Sequence, residues 1–132
     1  MTQPAPTTVW IVDDDLGFVW WLGEIFTEAG CQAVPALSCE QAVSLVNQLN
    51  VGIDLLLVNP LMPDVLGMLE ILNRARPKLK IVAIGEASPA LTAAIHPQAI
   101  LERPSGSDSI SRPGWIEKVR KLLKQLAAAA AV

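Results

Sequence analysis

Leu55-Leu56-Leu57-Val58-Asn59-Pro60-Leu61-Met62-Pro63 is the stretch on which the reading of this chain turns. From Ile53 to Val58 nearly every position is apolar, the pattern of a strand covered on both faces. Strands of that kind belong to parallel sheets flanked by helices. The run stops at Asn59, and the prolines at 60 and 63 mark a loop. Asn59 stands at a strand end, where a reactive carboxylate would make chemical sense, and it is an amide.

Working outward, Val9-Trp10-Ile11-Val12 is a short buried-strand signal that ends at Asp13-Asp14-Asp15. Leu16 to Ala29 has helical spacing, with Phe18, Trp21, Leu22, Ile25 and Phe26 on the expected inner face and Gly30 as a stop. Gln32 to Pro35 is a weak strand whose proline suggests an edge. Ser38 with Gln41 three residues on is a capping-box start for a helix through Leu49. Gly67 to Ala75 reads as a helix ended by Pro77, and Lys80 to Ile84 as the fourth strand, closed by Gly85. Ala90 to Ile95 is a weak helix bracketed by Pro89 and Pro97. Ala99 to Leu101 is a short fifth strand leading to Arg103, and Trp115 to about Ala129 is the last helix, with Ile116, Val119, Leu123 and Leu126 inward.

Alternation of strand and helix over 132 residues predicts one α/β domain. The expected fold is a doubly wound, flavodoxin-like sandwich of five parallel strands in the order 2-1-3-4-5, with helices on both faces. Residues 1–7 read as a disordered lead, 8–126 as the domain, and 127–132 as a frayed helix end or the start of a linker. Right-handed crossovers bring the strand C-terminal ends to one edge, the usual place for chemistry in such sheets. Asp13–Asp15, Asn59, Gly85 and Arg103 converge there.

Composition narrows the function. Apolar residues make up 52 % of the chain and mean hydropathy is +0.40, which is ample for a core. A net charge of −3 argues against nucleic-acid binding, which needs a basic face. No segment has the roughly 18 consecutive apolar residues of a membrane span. The N-terminal MTQPAPTT has neither the charge nor the apolar core of a signal peptide. Cys31 and Cys39 lack metal-site spacing and read as free thiols in a reducing cytoplasm. No GxGxxG or Walker pattern marks a nucleotide site.

The VDDD run after the first strand, with NPLMPDVLG after the third, resembles the receiver domain of two-component response regulators. Met62-Pro63 and Gly67 fall where that family places them, and the resemblance spans roughly residues 8–126. It implies a phosphorelay module in which two acids and an Asp after the third strand hold Mg²⁺. That Asp takes a phosphoryl group from a histidine kinase, a Ser or Thr after the fourth strand bonds it, and a Lys after the fifth contacts it. Carried over by position, the acids are Asp13 and Asp14, with Asp14 the more direct metal ligand. The acceptor is Asn59, the hydroxyl is Gly85, the switch aromatic is Ile100 and the lysine is Arg103.

The acids remain while the rest has changed. An amide is not a carboxylate nucleophile, and it offers a hard cation no charge. An Asp→Asn change confined to position 59 leaves Gly85 and Ile100 unexplained. The expectation is therefore a degenerate, non-phosphorylatable receiver, not an enzyme. It would bind Mg²⁺ weakly if at all and act by protein–protein contact. Partners in view are a histidine kinase, a fused output domain or a second copy, with neither nucleic acid nor membrane. Two alternatives stay open: phosphorylation at one of Asp13–Asp15, and a small ligand in the same cleft. Arg103 bridging to the acids in place of a metal is a further expectation. Trp20, with Val19 beside it, is the expected contact surface, unless Trp20 packs under the last helix.

Overall fold

In the computed structural model the described residues are 7–48, 52–76, 79–85, 88–102 and 112–130, with side chains of the last helix described for 113–126. The elements alternate as read: β1 (Thr8–Val12), α1 (Leu16–Glu28), β2 (Gln32–Ala36), α2 (Cys39–Gln48), β3 (Leu55–Val58), α3 (Val65–Ala75), β4 (Lys80–Ile84), α4 (Pro89–Ile95), β5 (Ala99–Leu101) and α5 (Arg112–Ala130). All pairings are parallel and the sheet order is β2-β1-β3-β4-β5. Residues 1–6, Pro77 and Arg103 lie outside the described residues.

The period-2 alternation of the strands sorts their side chains into two cores. Val9, Ile11, Leu55, Leu57, Val82 and Ile84 face α1 and α5. Trp10, Val12, Leu56, Val58 and Ile81 face α2 and α3. Both faces are covered, which is why β1 and β3 contain no exposed position. Cys31 lies in the first core and Cys39 in the second, so the sheet separates them. Burial, and to a lesser degree the charge of Asp54 or Asp64, raises each thiol's pKa, as expected of inert core cysteines.

Local chemistry sets the element ends. Gly30 at φ +94° closes α1: its N–H donates to Thr27 O and the N–H of Cys31 to Phe26 O, a Schellman pair. Ser38 Oγ accepts from Gln41 N–H, while Gln41 Oε1 accepts from Leu37 N–H, one residue earlier than the usual box. The third strand begins at Leu55, later than its apolar run; just before it Asp54 Oδ2 accepts from Thr8 N–H at 2.8 Å and Asp54 N–H donates to Thr8 O at 3.0 Å. Helix α4 begins at Pro89, capped by Ser88 Oγ. A proline there supplies the φ of a first turn and loses no bond, so it starts the helix the sequence reading had it merely bracket. Pro35 sits on the edge strand β2. Gln32 N–H donates to Thr7 O, so odd-numbered nitrogens point to the open edge, where proline forfeits nothing.

Val19 is a correction. It is 1 % exposed and faces the sheet, so it is no contact surface. The inner face of α1 runs through Val19, Leu22, Ile25 and Phe26, with Phe18 and Trp21 turned toward α5. Trp21 meets Trp115 edge-on, ring centroids 5.1 Å apart. Large rings fill the seam between helices, while a short β-branched side chain lets α1 lie close on the sheet.

Trp10 is fully buried in β1, and its indole N–H has no partner among the described residues. An orphaned buried donor costs about 1–3 kcal/mol. Trp10→Phe is therefore expected to stay within about 1.5 kcal/mol of the parent in urea denaturation, since the lost volume is offset by removal of that donor. Trp10→Ala should lose about 3–5 kcal/mol. A loss for Trp10→Phe well above about 1.5 kcal/mol would show that the orphaned N–H costs little.

Candidate functional site

The loops after β1, β3 and β4 leave one edge of the sheet, and backbone bonds continue the ladders into them. Asp13 N–H donates to Ala36 O at 3.1 Å, Asn59 N–H to Val12 O at 2.9 Å and Gly85 N–H to Leu101 O at 2.8 Å. These bonds fix the first residue of each loop, so Asp13, Asn59 and Gly85 gather at one edge as the sequence predicts. Arg103 lies outside the described residues, and with it the bridge to the acids.

The three consecutive acids have three different situations. Asp13 is 0 % exposed, and its Oδ1 accepts from Asp15 N–H at 3.0 Å. Asp14 is exposed. Asp15 is the N-cap of α1, its Oδ1 accepting from Phe18 N–H at 3.1 Å. That cap was legible as an Asp just before a helical run, a signal the sequence reading did not use.

Asn59 is half-buried, and its side-chain oxygen accepts from Leu61 N–H at 3.0 Å. Met62 N–H donates to Asn59 O at 3.3 Å, closing a tight turn over Pro60. The turn is pinned from below, with Pro60 and Met62 buried, while Leu61 projects into solvent. The amide thus works as an Asx turn, which shapes the loop.

Gly85 has φ +80°. A residue with a Cβ is disfavoured there by roughly 1–2 kcal/mol, so the backbone itself resists a hydroxyl-bearing side chain at this position. Sequence alone shows a glycine here but not its left-handed backbone. Ile100, which the sequence resemblance sets at the switch aromatic, is 48 % exposed on β5.

Trp20 is 64 % exposed. The ring across from α5 is that of Trp21, so the described part of α5 does not cover Trp20. It walls an apolar groove of about 450 Å³ between α1 and the edge strand, floored by Ile11, Val19, Gly23, Ala33 and Pro35. Sequence reading picked out Trp20 but not the groove, because Ala33 and Pro35 reach it only through the β1–β2 pairing.

No family model and no curated protein matches the sequence. Solved structures do. A CheY-like response regulator receiver domain protein from Methanospirillum hungatei superposes with a TM-score of 0.71 at 20 % identity, covering 95 % of this chain and 99 % of that one. The signal receiver domain of an HD domain-containing protein from Pseudomonas fluorescens gives 0.72 at 15 % identity, covering 99 % and 96 %. A Thermotoga maritima response regulator, solved in complex with Mg²⁺ and BeF, gives 0.62 at 20 % identity, covering 88 % and 98 %. Among the described residues no helix is long and apolar enough to cross a membrane. With this sheet order, these loop anchors and these neighbours, the chain has the fold of a CheY-like response regulator receiver domain.

Proposed function

We propose that this domain is a receiver-like signalling module that carries no acyl phosphate and acts through protein contacts. The observation that carries the reading is Asn59: a neutral amide at the acceptor position, its side-chain oxygen engaged by Leu61 N–H. Gly85 supports it, since the left-handed backbone disfavours the hydroxyl that would hold a phosphoryl group. Pro60 supports it too. Asparagine normally converts to aspartate by cyclising onto the next backbone N–H, and proline has none. Asn59 therefore has no ordinary chemical route back to an acceptor.

The described oxygen donors suit a divalent cation poorly. Asp13 is buried and engaged by Asp15 N–H, Asp15 caps a helix, and Asn59 brings no charge. Of the two exposed acids that leaves Asp14, since Asp15 is engaged as the cap, whereas a hard cation prefers several carboxylates. No step is assigned to a metal. Partners in this reading are a histidine kinase, an output domain or a second copy.

The test is an amide NMR titration with Mg²⁺ and then beryllofluoride, a phosphoryl mimic, paired with intact mass after acetyl phosphate. Resonances of Asp13–Asp15, Asn59 and Gly85 are expected to stay in place and no phosphoryl adduct to form. An adduct mapped to residues 13–15 would favour phosphorylation of exposed Asp14 instead. Shifts spreading into β4 and β5 would mean that the pocket still switches.

A further inference from the structure

One surface of α1 runs away from the sheet edge that gathers Asp13, Asn59 and Gly85. Leu16, Trp20, Glu24 and Glu28 recur every four residues and form a single exposed stripe, apolar in its first half and acidic in its second. Leu16 is 63 % exposed, and α1 contains no basic residue. An indole this exposed beside an apolar groove is characteristic of a contact surface. We infer that a second copy of this chain docks here, laying its α5 along α1 about a two-fold axis parallel to the two helices.

The chain itself supplies the complementary charge. Half of its ten basic residues lie on α5, and Arg120, Lys121 and Lys124 are exposed there. Helices α1 and α5 lie side by side on one face of the sheet, sharing a core. A two-fold axis running between them and parallel to them sets each α1 against the other copy's α5. The contact is made twice and closes, as an isologous dimer must.

Register then becomes a test of the idea, because rotation about an axis parallel to the helices preserves height along them. The Trp21–Trp115 contact puts those two residues at one level. Both helices rise about 1.5 Å per residue, so Glu24 and Glu28 stand level with residues 118 and 122. In the dimer the acidic half of one α1 faces the stretch of the other α5 that carries Lys118, Arg120 and Lys121. Trp20, level with residue 114, faces the start of that helix, where Pro113 is exposed. This docking does not depend on whether the pocket accepts a phosphoryl group.

Sedimentation equilibrium of the full chain, from about 10 μM to about 1 mM, reads the dimer directly. A dimer weakened by salt is expected. Trp20→Ala should weaken it at least about tenfold, as loss of an interface anchor does. Glu28→Lys and Lys121→Glu should each weaken it about three- to tenfold, and the double variant should return to within about threefold of the parent. A monomer at every concentration overturns the inference, as does a dimer indifferent to Trp20→Ala. A dimer that needs Trp20 but ignores both charge reversals overturns the α5 pairing, and places α1 against α1. Failure of the double variant to recover does the same.

Discussion

Phe26→Ala is expected to cost about 3–5 kcal/mol, and Trp20→Ala, six positions away on the same helix, under about 0.5 kcal/mol for the monomer. Both remove a large aromatic ring. Phe26 is fully buried between α1 and the sheet, and its loss leaves a cavity that neighbours such as Ile25, Leu22 and Leu57 cannot close. Trp20 is already mostly in water, so its truncation exposes little that was hidden. In thermal denaturation at low protein concentration the first should lower Tm by roughly 10–20 °C, the second by no more than about 2 °C. Comparable losses would mean that α1 is rotated from the orientation described here, with Trp20 in the core.

Asn59→Asp is expected to change the metal behaviour more than any other single substitution. It adds a carboxylate at the edge that already holds buried Asp13 and exposed Asp14. A unit charge about 4 Å from a cation is worth roughly 1–4 kcal/mol at effective dielectrics from water to a protein surface, so Mg²⁺ affinity should rise about tenfold or more. Without metal the added charge should cost stability, of the order of 1 kcal/mol, because like charges near a buried carboxylate repel. Millimolar Mg²⁺ should then raise the Tm of the variant and leave the parent's unchanged, and calorimetric titration should give the affinities. A phosphoryl switch is not expected from the carboxylate alone, since Gly85 offers no hydroxyl and its φ of +80° disfavours one. A parent that binds Mg²⁺ as tightly as the variant would show that Asn59 does not limit the site.

Much of the fold was legible in sequence. Strand β4 spans Lys80–Ile84 and β5 spans Ala99–Leu101, as read, because short apolar runs bounded by glycine, proline and polar residues leave little choice of ends. The β2-β1-β3-β4-β5 order was expected from the flavodoxin-like type, since alternation and handedness alone leave other orders open, and the ladders bear it out. The errors were rotational or local. A helical face drawn through Phe18, Trp21, Leu22, Ile25 and Phe26 sets Val19 beside Trp20 at its border, and packing turns α1 so that Val19 faces the sheet. Pro89 begins α4 instead of bracketing it, because proline breaks helices in their interiors but starts them at their first turn.

The division between the two levels has a physical cause. Periodicity, caps and breakers act within a few residues, so local pattern is enough to read the elements and their succession along the chain, and to set Asn59 and Gly85 just after strands. What those residues do depends on partners brought from far along the chain, or on backbone torsions set by the assembled loops. Only the tertiary structure decided that Asp13 is buried while Asp14 is exposed, and that Gly85 is left-handed. It also decided that Trp21 rather than Trp20 meets Trp115, and that Ala33 and Pro35 complete a groove beneath Trp20. Burial and strain are properties of the packed chain, and no local pattern encodes them.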